Sequence, residues 1–251
     1  MQLATSAGGG GGSNICIFGA GNCADLDSAQ LARDFAEIHL VDLDSEAIER
    51  GRETFPADAR DRVVTHPGID LSGFIHRLDE WGDTFPDDRE LGAAALAAIQ
   101  SILQKVGRSF RVVLSTCVLS QLPLPYRQTW ITSGTNWDRL VASLTAVHLA
   151  TVAGTVQPGG QGIVAFDLFG SALAPGLHSI DGNDSEALRA FVDQQVAASL
   201  IRLDWDPAAI LQRLRSPALR AFVESPRLTG PWLWDIGEVL VVYGLVFNRP
   251  T

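Results

Sequence analysis

The fold of this chain is most clearly indicated by residues Asn14–Asp42, which read NICIFGAGNCADLDSAQLARDFAEIHLVD. The opening apolar run stops at the glycine turn Gly19-Ala20-Gly21, and Glu37–Val41 resumes the character of a strand. Between them, a helical pattern from about Asp25 places apolar residues at spacings of three, namely Leu26, Ala29, Ala32 and Phe35. Glycines let the backbone approach a ligand, the helix start offers free N–H groups, and a carboxylate at Asp42 can accept both ribose hydroxyls. This order of elements is typical of a nucleotide-binding βαβ unit.

The glycine turn by itself leaves two cofactor classes open. Gly19, Gly21 and Ala24 match the dinucleotide fingerprint G-x-G-x-x-G/A. Asp42 follows about 20 residues later, as that fingerprint expects. An NAD-dependent oxidoreductase is therefore one interpretation, and the order of the later elements favours the other.

The later elements indicate a doubly wound α/β domain. Asp70 follows the third strand, and a helix from about Asn136 leads through a Pro158-Gly159-Gly160 turn to the fifth. The last two strands lie close enough in sequence to pair antiparallel. We therefore predict a seven-stranded, mostly parallel sheet whose last strand is antiparallel. After the first two strands, the others are predicted at Arg62–His66, Val112–Leu114, Ile163–Asp167, Trp232–Trp234 and Val239–Phe247.

With these elements in place, the chain resembles the class I S-adenosylmethionine-dependent methyltransferases over roughly Asn14–Asn248. The resemblance is carried by the glycine motif, by Asp42 after strand two, by Asp70 after strand three, and by the Pro-Gly-Gly turn. In that family the glycine loop packs on the cofactor, the first acid binds the ribose, and the second approaches the adenine amino group. Residues after strand four border the methyl group.

The resemblance implies S-adenosyl-L-methionine as the cofactor. The residues expected to contact it are Gly19, Gly21, Asn22, Cys23, Asp25, Asp42, Leu43, Asp70, Leu71, Ser115 and Thr116. One position departs from the family pattern, because Ile17 stands where many members carry an acid. Asp25 is then the nearest acid for the methionine end of the cofactor, and a helix N-cap or first-turn acid accounts for it equally well.

Methyl transfer proceeds by in-line attack on a sulfonium methyl, and positioning alone supplies about 7–11 kcal/mol. A phenol or alcohol acceptor gains further from a general base. The candidates are Asp167, at the carboxyl end of strand five, and His178, in the loop beyond it. A cap of the following turn is the alternative for Asp167, and a solvated loop residue is the alternative for His178.

Aromatic residues give the best indication of the acceptor, since flat apolar walls suit a small organic molecule. Trp130 follows strand four, and the expected acceptor-site residues are Cys117, Tyr126, Trp232 and Trp234. The alternative for the tryptophans is the core of the sheet. Cys23 and Cys117 can face one crevice, and packing is favoured over a metal or redox role because no His or Cys stands at ligand spacing.

The histidines carry no recognisable site. His39, His66 and His76 have no partner at ligand spacing, and His148 shares an apolar helix face, as a core histidine does. We therefore predict no metal site.

Composition narrows the partners. The 251 residues are 46% hydrophobic, enough for one core in a single domain over 14–251. A net charge of −10 disfavours nucleic acid, which needs clustered Lys and Arg. Without a signal peptide or a long apolar run, we expect no membrane association and a cytoplasmic location. Three cysteines agree with a reducing compartment.

Residues 1–13 read as a flexible, glycine-rich leader, too short to cover an active site. Any cover is then expected from the helical insertions near 72–107 and 168–231, with the later one favoured.

Together with the family resemblance, the sequence predicts methylation of a small molecule. The alternatives are an NAD-dependent oxidoreductase and a non-catalytic S-adenosylmethionine-binding protein, and the oligomeric state stays open.

Overall fold

The computed structural model describes residues 12–81, 84–126, 134–182, 184–198 and 206–251. The strands are β1 (Asn14–Phe18), β2 (Glu37–Val41), β3 (Val63–His66), β4 (Phe110–Thr116), β5 (Val156–Gly170), β6 (Glu224–Asp235) and β7 (Val239–Asn248). The helices are α1 (Ser28–Asp34), α2 (Ser45–Glu53), α3 (Arg77–Trp81), α4 (Asp88–Val106), α5 (Val118–Gln121), α6 (Thr135–Thr155), α7 (Ser185–Ala197) and α8 (Pro207–Leu214). Most of the predicted leader and Trp130 lie outside the described residues.

All seven strands form one sheet in the order β3-β2-β1-β4-β5-β7-β6. Strands β1 to β5 are parallel to one another. β7 runs antiparallel to both β5 and β6. The predicted fold class, a doubly wound and mostly parallel sheet with the last strand antiparallel, is confirmed.

Two apolar cores lie on opposite faces of the sheet. α1 and α2 cover one face through Leu31 and Ile48, against strand residues such as Ile15. α4, α6, α7 and α8 contribute to the larger core on the other face, with buried residues such as Leu144 and Ile210. Strands buried on both faces have the near-continuous apolar sequences seen in β1 and β4.

Local signals set the helix ends. The Asp44 carboxylate caps α2 by accepting the N–H groups of Glu46 and Ala47. Gly107 ends α4 in the left-handed conformation that glycine adopts most easily. α1 begins at Ser28, later than the predicted start at about Asp25, because the residues before it form turns and the helix is capped by Asp27.

The largest differences from the predicted boundaries occur in β5 and β6. β5 extends from Val156 to Gly170, and the predicted Pro158-Gly159-Gly160 turn lies inside it as an irregularity. β6 is also far longer than the predicted Trp232–Trp234. Both strands pair with β7 along its length, and this long-range pairing gives no signal in the local sequence. Within the described residues, no helix combines the length and the apolar character needed to cross a membrane.

Candidate functional site

The carboxyl ends of the parallel strands form one edge of the sheet, and two cavities lie along it. β1 and β4 are neighbours at the switch point, where ligands of open α/β sheets bind. The large cavity, of about 980 Å³, runs from the glycine turn after β1 to the loop after β5. The small cavity, of about 290 Å³, opens between the loops after β2, β3 and β4. Gly19, Asp42, Asp44 and Gln121 line both cavities.

Asp42 stands at the junction of the two cavities. One carboxylate oxygen accepts the N–H of Gly21 at 2.8 Å, and the other accepts the N–H of Asp44 at 2.9 Å. Each carboxylate oxygen offers about two acceptor positions, so one position on each oxygen stays open. The carboxylate is therefore held in place by the backbone and can still bind a pair of hydroxyls.

The two glycines of the turn have different roles. Gly19 has φ +71°, and a Cβ there would lie 2.3 Å from Cγ2 of Val118, so β1 and α5 need its lack of a side chain. Gly21 has φ +49° with nothing within 4 Å of such a Cβ, so only its backbone conformation favours glycine. Gly19 provides close packing, and Gly21 presents its N–H to Asp42.

Asp70 is fixed at the far end of the small cavity. One of its carboxylate oxygens accepts both the N–H and the hydroxyl of Ser72, and the other accepts the N–H of Ile75. The Ser72 hydroxyl also lies 3.0 Å from the hydroxyl of Tyr126. Tyr126 is fully buried and lines neither cavity. The structure therefore places Tyr126 beneath Asp70 and outside both cavities, whereas the sequence predicts it among the acceptor-site residues.

Apolar side chains form most of the walls of the small cavity between Asp42 and Asp70. Leu43, which is 51% exposed, faces this cavity, as does the nearly buried Leu71. The other apolar lining residues are Ile69, Ile75, Val118, Leu122 and Pro125. Two acids at the ends of an apolar slot suit a flat, hydrophobic ring that carries polar groups at its rim.

At the end of β4, Thr116 and Cys117 reach the large cavity, whereas Ser115 does not. Thr116 donates its hydroxyl to the carbonyl of Gly19 at 2.7 Å, which ties β4 to the glycine turn, and it lines the large cavity together with Cys117. Burial, and then the charge of Asp167, raises the pKa of the Cys117 thiol. Ser115 is fully buried, and its Oγ lies 2.7 Å from Nε2 of His148. The structure does not bring Ser115 to either cavity.

In the turn after Gly21, two of the three predicted cofactor contacts reach a cavity and one does not. Asn22 and Asp25 line the large cavity, and burial raises the pKa of Asp25. Cys23 is 3% exposed and lines neither cavity. A Cβ on Gly51 would lie only 2.9 Å from the Cys23 Sγ, so the thiol packs closely against Gly51. Burial, with Asp42 and Asp25 nearby, raises the pKa of Cys23 to about 12, so the thiol stays protonated.

The two predicted bases occupy different places. Asp167 lines the large cavity and accepts a hydrogen bond from the Ser120 hydroxyl at 2.5 Å. His178 is exposed on the 3₁₀ turn Pro175–Ser179 and lines neither cavity. Trp234 lines the large cavity, and Trp232 joins it in a pocket of about 200 Å³ next to Asp25 and Cys117.

Two features escaped the sequence analysis. Glu238, in the turn between β6 and β7, reaches the large cavity, and only the pairing of the two long strands brings it there. His39 and His66, for which no partner was expected, pair with each other, since Nδ1 of His39 lies 2.7 Å from Nε2 of His66. Burial lowers the pKa of both. Their pairing depends on the β2–β3 register.

The part of the chain that the structure describes contains no group of three or more His, Cys, Asp or Glu residues arranged to hold a metal ion.

The chain was also compared with known proteins. No protein-family model and no curated protein matches it. Its structure is similar to that of a candidate methyltransferase from Bacillus halodurans, at 10% identity and a TM-score of 0.49, covering 100% of this chain and 98% of the other. N-methyltransferase NodS from Bradyrhizobium japonicum, solved with S-adenosyl-L-homocysteine, matches at 10% identity and a TM-score of 0.46, covering 99% and 84%.

An rRNA methylase from Streptococcus thermophilus matches at 9% identity and a TM-score of 0.43, covering 99% of this chain and 95% of the other. Other matched structures are longer, and the chain spans 63% of one and 51% of another. At such low identity the assignment of the fold rests on the sheet itself. Its strand order β3-β2-β1-β4-β5-β7-β6, with β7 antiparallel, is the Rossmann-like fold of the class I S-adenosylmethionine-dependent methyltransferases.

Proposed function

We propose that the chain binds S-adenosylmethionine across the two cavities and transfers its methyl group to a small-molecule acceptor in the large one. The observation that carries this proposal is the position of Asp42. Its carboxylate is held by two backbone N–H groups and keeps one open acceptor position on each oxygen, at the junction of an apolar slot and a roomy cleft. A nucleoside fits such an arrangement, with its ribose hydroxyls on Asp42.

The remaining residues fit the same ligand. The walls of the small cavity suit an adenine ring, and Asp70 keeps acceptor capacity for an amino group at its end. Asn22, Asp25 and Thr116 line the large cavity on the side of the glycine turn, where the methionine end would be held. The predicted contacts Ser115 and Cys23 support this site from the core.

When bound, S-adenosylmethionine supplies a methyl group on a positively charged sulfur. The chain's own part is then to hold an acceptor atom in line with that group. Cys117 and Asp167 line the cavity between the glycine turn and the loop after β5. The Ser120 hydroxyl fixes one oxygen of Asp167, and the two oxygens together keep acceptor capacity for a proton from the acceptor. Asp167 is therefore our candidate for the proton-accepting residue.

The cover of the acceptor site comes from the first residues of the later insertion. Leu168, Phe169, Ala172 and Leu173 line the large cavity, whereas no described residue of α7 or α8 does. Those two helices pack through residues such as Leu188 into the core. We therefore propose residues 168–173, not the helices, as the segment that closes on the acceptor.

An NAD-dependent reaction is the second candidate, because the glycine fingerprint and Asp42 fit a dinucleotide as well. A pyrophosphate needs the positive N-terminus of a helix. Here Asp25 and the N-cap Asp27 place two carboxylates just before α1, where they oppose an anion. This charge arrangement favours a cofactor without phosphate.

A thermal-shift series tests the proposal. S-adenosylhomocysteine at about 100 times its Kd adds about 2.7 kcal/mol to the free energy of unfolding. We expect S-adenosylmethionine and S-adenosylhomocysteine to raise the melting temperature, and NAD and NADP to leave it unchanged. Stabilisation by NAD alone would assign the site to the oxidoreductase class. Binding without turnover of any acceptor would favour a non-catalytic binding protein.

A further inference from the structure

We propose that the acceptor is an amine: a small molecule with an apolar body whose nitrogen receives the methyl group. This inference rests on the proposed function and names the acceptor class of the same cavity.

The charge of the large cavity is one-sided. Its lining includes no Lys, Arg or His among the residues that the structure describes. The carboxylates in its lining belong to Asp25, Asp42, Asp44, Asp167 and Glu238. Clefts lined by charges of one sign raise the local concentration of ligands of the opposite sign. At the end formed by Asp167 and Glu238, the cavity therefore favours a cationic acceptor over a carboxylate, phosphate or phenolate.

Glu238 is held at the acceptor end of this cavity. Its Oε1 accepts the N–H of Ala172 at 3.0 Å. The carboxylate lies against Gly170, where a Cβ would stand 2.0 Å from the same oxygen. With one hydrogen bond used, the carboxylate keeps acceptor positions for an ammonium group. Gly170 is thus the residue that lets Glu238 reach the cavity.

The mouth of the large cavity is apolar. Leu124, Leu173 and Ile236 line it and are 49%, 72% and 52% exposed. Clustered exposed apolar side chains of this kind mark binding surfaces. Trp234 adds an aromatic wall, which attracts a cation as well as an apolar body. Apolar groups and carboxylates together match an apolar amine better than a sugar, a nucleotide or an organic acid.

The chemistry agrees with this charge. An ammonium acceptor gives one proton to Asp167, which later passes it to water. The freed nitrogen lone pair forms the N–C bond, the C–S bond breaks, and its electron pair goes to sulfur. The product is a methylated ammonium, so the positive charge that leaves sulfur appears on nitrogen. Glu238 stabilises that charge as it develops, because Asp167 holds the proton during the transfer.

The test measures binding, not turnover, on the full chain saturated with S-adenosylhomocysteine. The probes are sets of three small aromatic compounds on one scaffold, such as benzylamine, benzyl alcohol and benzoate, titrated by calorimetry. We expect the ammonium member to bind about tenfold or more tightly than the hydroxyl member. The carboxylate member should show no measurable heat.

Two variants locate the effect. Glu238→Gln removes the charge, and Gly170→Ala displaces the carboxylate by filling its space. Both should reduce the preference for the ammonium member about tenfold and leave the affinity for S-adenosylhomocysteine unchanged. Glu224→Gln is the matched control, because Glu224 lies at the other end of β6. It should change neither quantity.

The outcomes separate this inference from the proposed function. If S-adenosylhomocysteine does not bind, the proposed function fails and the inference fails with it. If it binds but no ammonium member binds, or hydroxyl or carboxylate members bind equally well, only the amine assignment is overturned. An ammonium preference that survives in both Glu238→Gln and Gly170→Ala would also overturn the inference, because the amine would then not bind beside Glu238 in this cavity.

Discussion

The two halves of the carboxyl edge hold their acids in different ways. In the half formed by β1, β2 and β3, backbone N–H groups fix Asp42 and Asp70, and most of these donors lie two to five residues away. In the half formed by β5, β7 and β6, Asp167 depends on Ser120, 47 residues away, and Glu238 on Ala172, 66 residues away. After the ligands proposed for them, we call these the cofactor half and the acceptor half.

This difference has a functional meaning. Short-range backbone bonds produce one rigid geometry, which suits a ligand that is the same in every reaction. Side chains held by distant segments can be changed without disturbing the glycine turn, which suits an acceptor that differs between related enzymes. We therefore expect the cofactor half to be sensitive to single substitutions, and the acceptor half to change its selectivity first.

The largest expected effect concerns His148, beneath the β4 strand where the two halves meet. Burial lowers the pKa of His148 to about 3, from an ordinary value of 6.5. The unfolded chain therefore takes up a proton at this residue first, and stability falls as the pH drops from about 6.5 towards 3. The loss is on the order of 4 to 5 kcal/mol over that window.

Urea unfolding of the wild type and of His148→Gln between pH 7 and pH 4 measures this loss. The variant should lose less stability than the wild type over the same interval, whatever its stability at pH 7. Equal acid slopes would show that the Ser115–His148 pair is not the buried group that the structure describes.

The next effect separates the halves directly. Asp42→Ala removes two acceptor positions for ribose hydroxyls and releases the Gly21 N–H, so the affinity for S-adenosylhomocysteine should fall about 100-fold or more. Calorimetry measures it, with Asp58→Ala on the exposed 3₁₀ turn as the control. A folded Asp42→Ala protein with wild-type affinity would show that the cofactor does not bind at Asp42.

A pair of glycine substitutions tests the rigidity of the cofactor half. Gly19→Ala should cost about 2–4 kcal/mol of unfolding free energy, because its Cβ meets Val118 and the backbone is left-handed. Gly21→Ala has the same handedness but open space, so about 1 kcal/mol is expected. Equal losses in urea unfolding would mean that the contact between β1 and α5 is not tight.

The smallest effect comes from Tyr126→Phe. Removing the hydroxyl next to Ser72 should cost about 1 kcal/mol of stability and weaken S-adenosylhomocysteine binding a few-fold through Asp70. The selectivity between amine and alcohol probes should not move, because Tyr126 lines neither cavity. A change in that selectivity would return Tyr126 to the acceptor wall, where the sequence analysis had placed it.

The same contrast explains what the sequence could predict. The βαβ unit, the succession of strands along the chain and the acids after β2 and β3 follow from local patterns, and the sheet confirms the predicted fold class. The places of Ser115 and Tyr126 did not follow, since which side of a strand end or turn faces the ligand depends on packing against α6 and Asp70. Glu238 could not be singled out, because the β6–β7 pairing that carries it to the cavity is long-range.

A crystal structure of the chain with S-adenosylhomocysteine would show directly whether the two cavities hold the cofactor as proposed. We expect the adenine in the slot walled by Leu43 and Val118, the ribose hydroxyls on the Asp42 carboxylate, and a cavity left open beside Cys117, Asp167 and Glu238. A ligand bound away from Asp42, or a failure to bind under conditions where NAD occupies the glycine turn, would contradict the proposal.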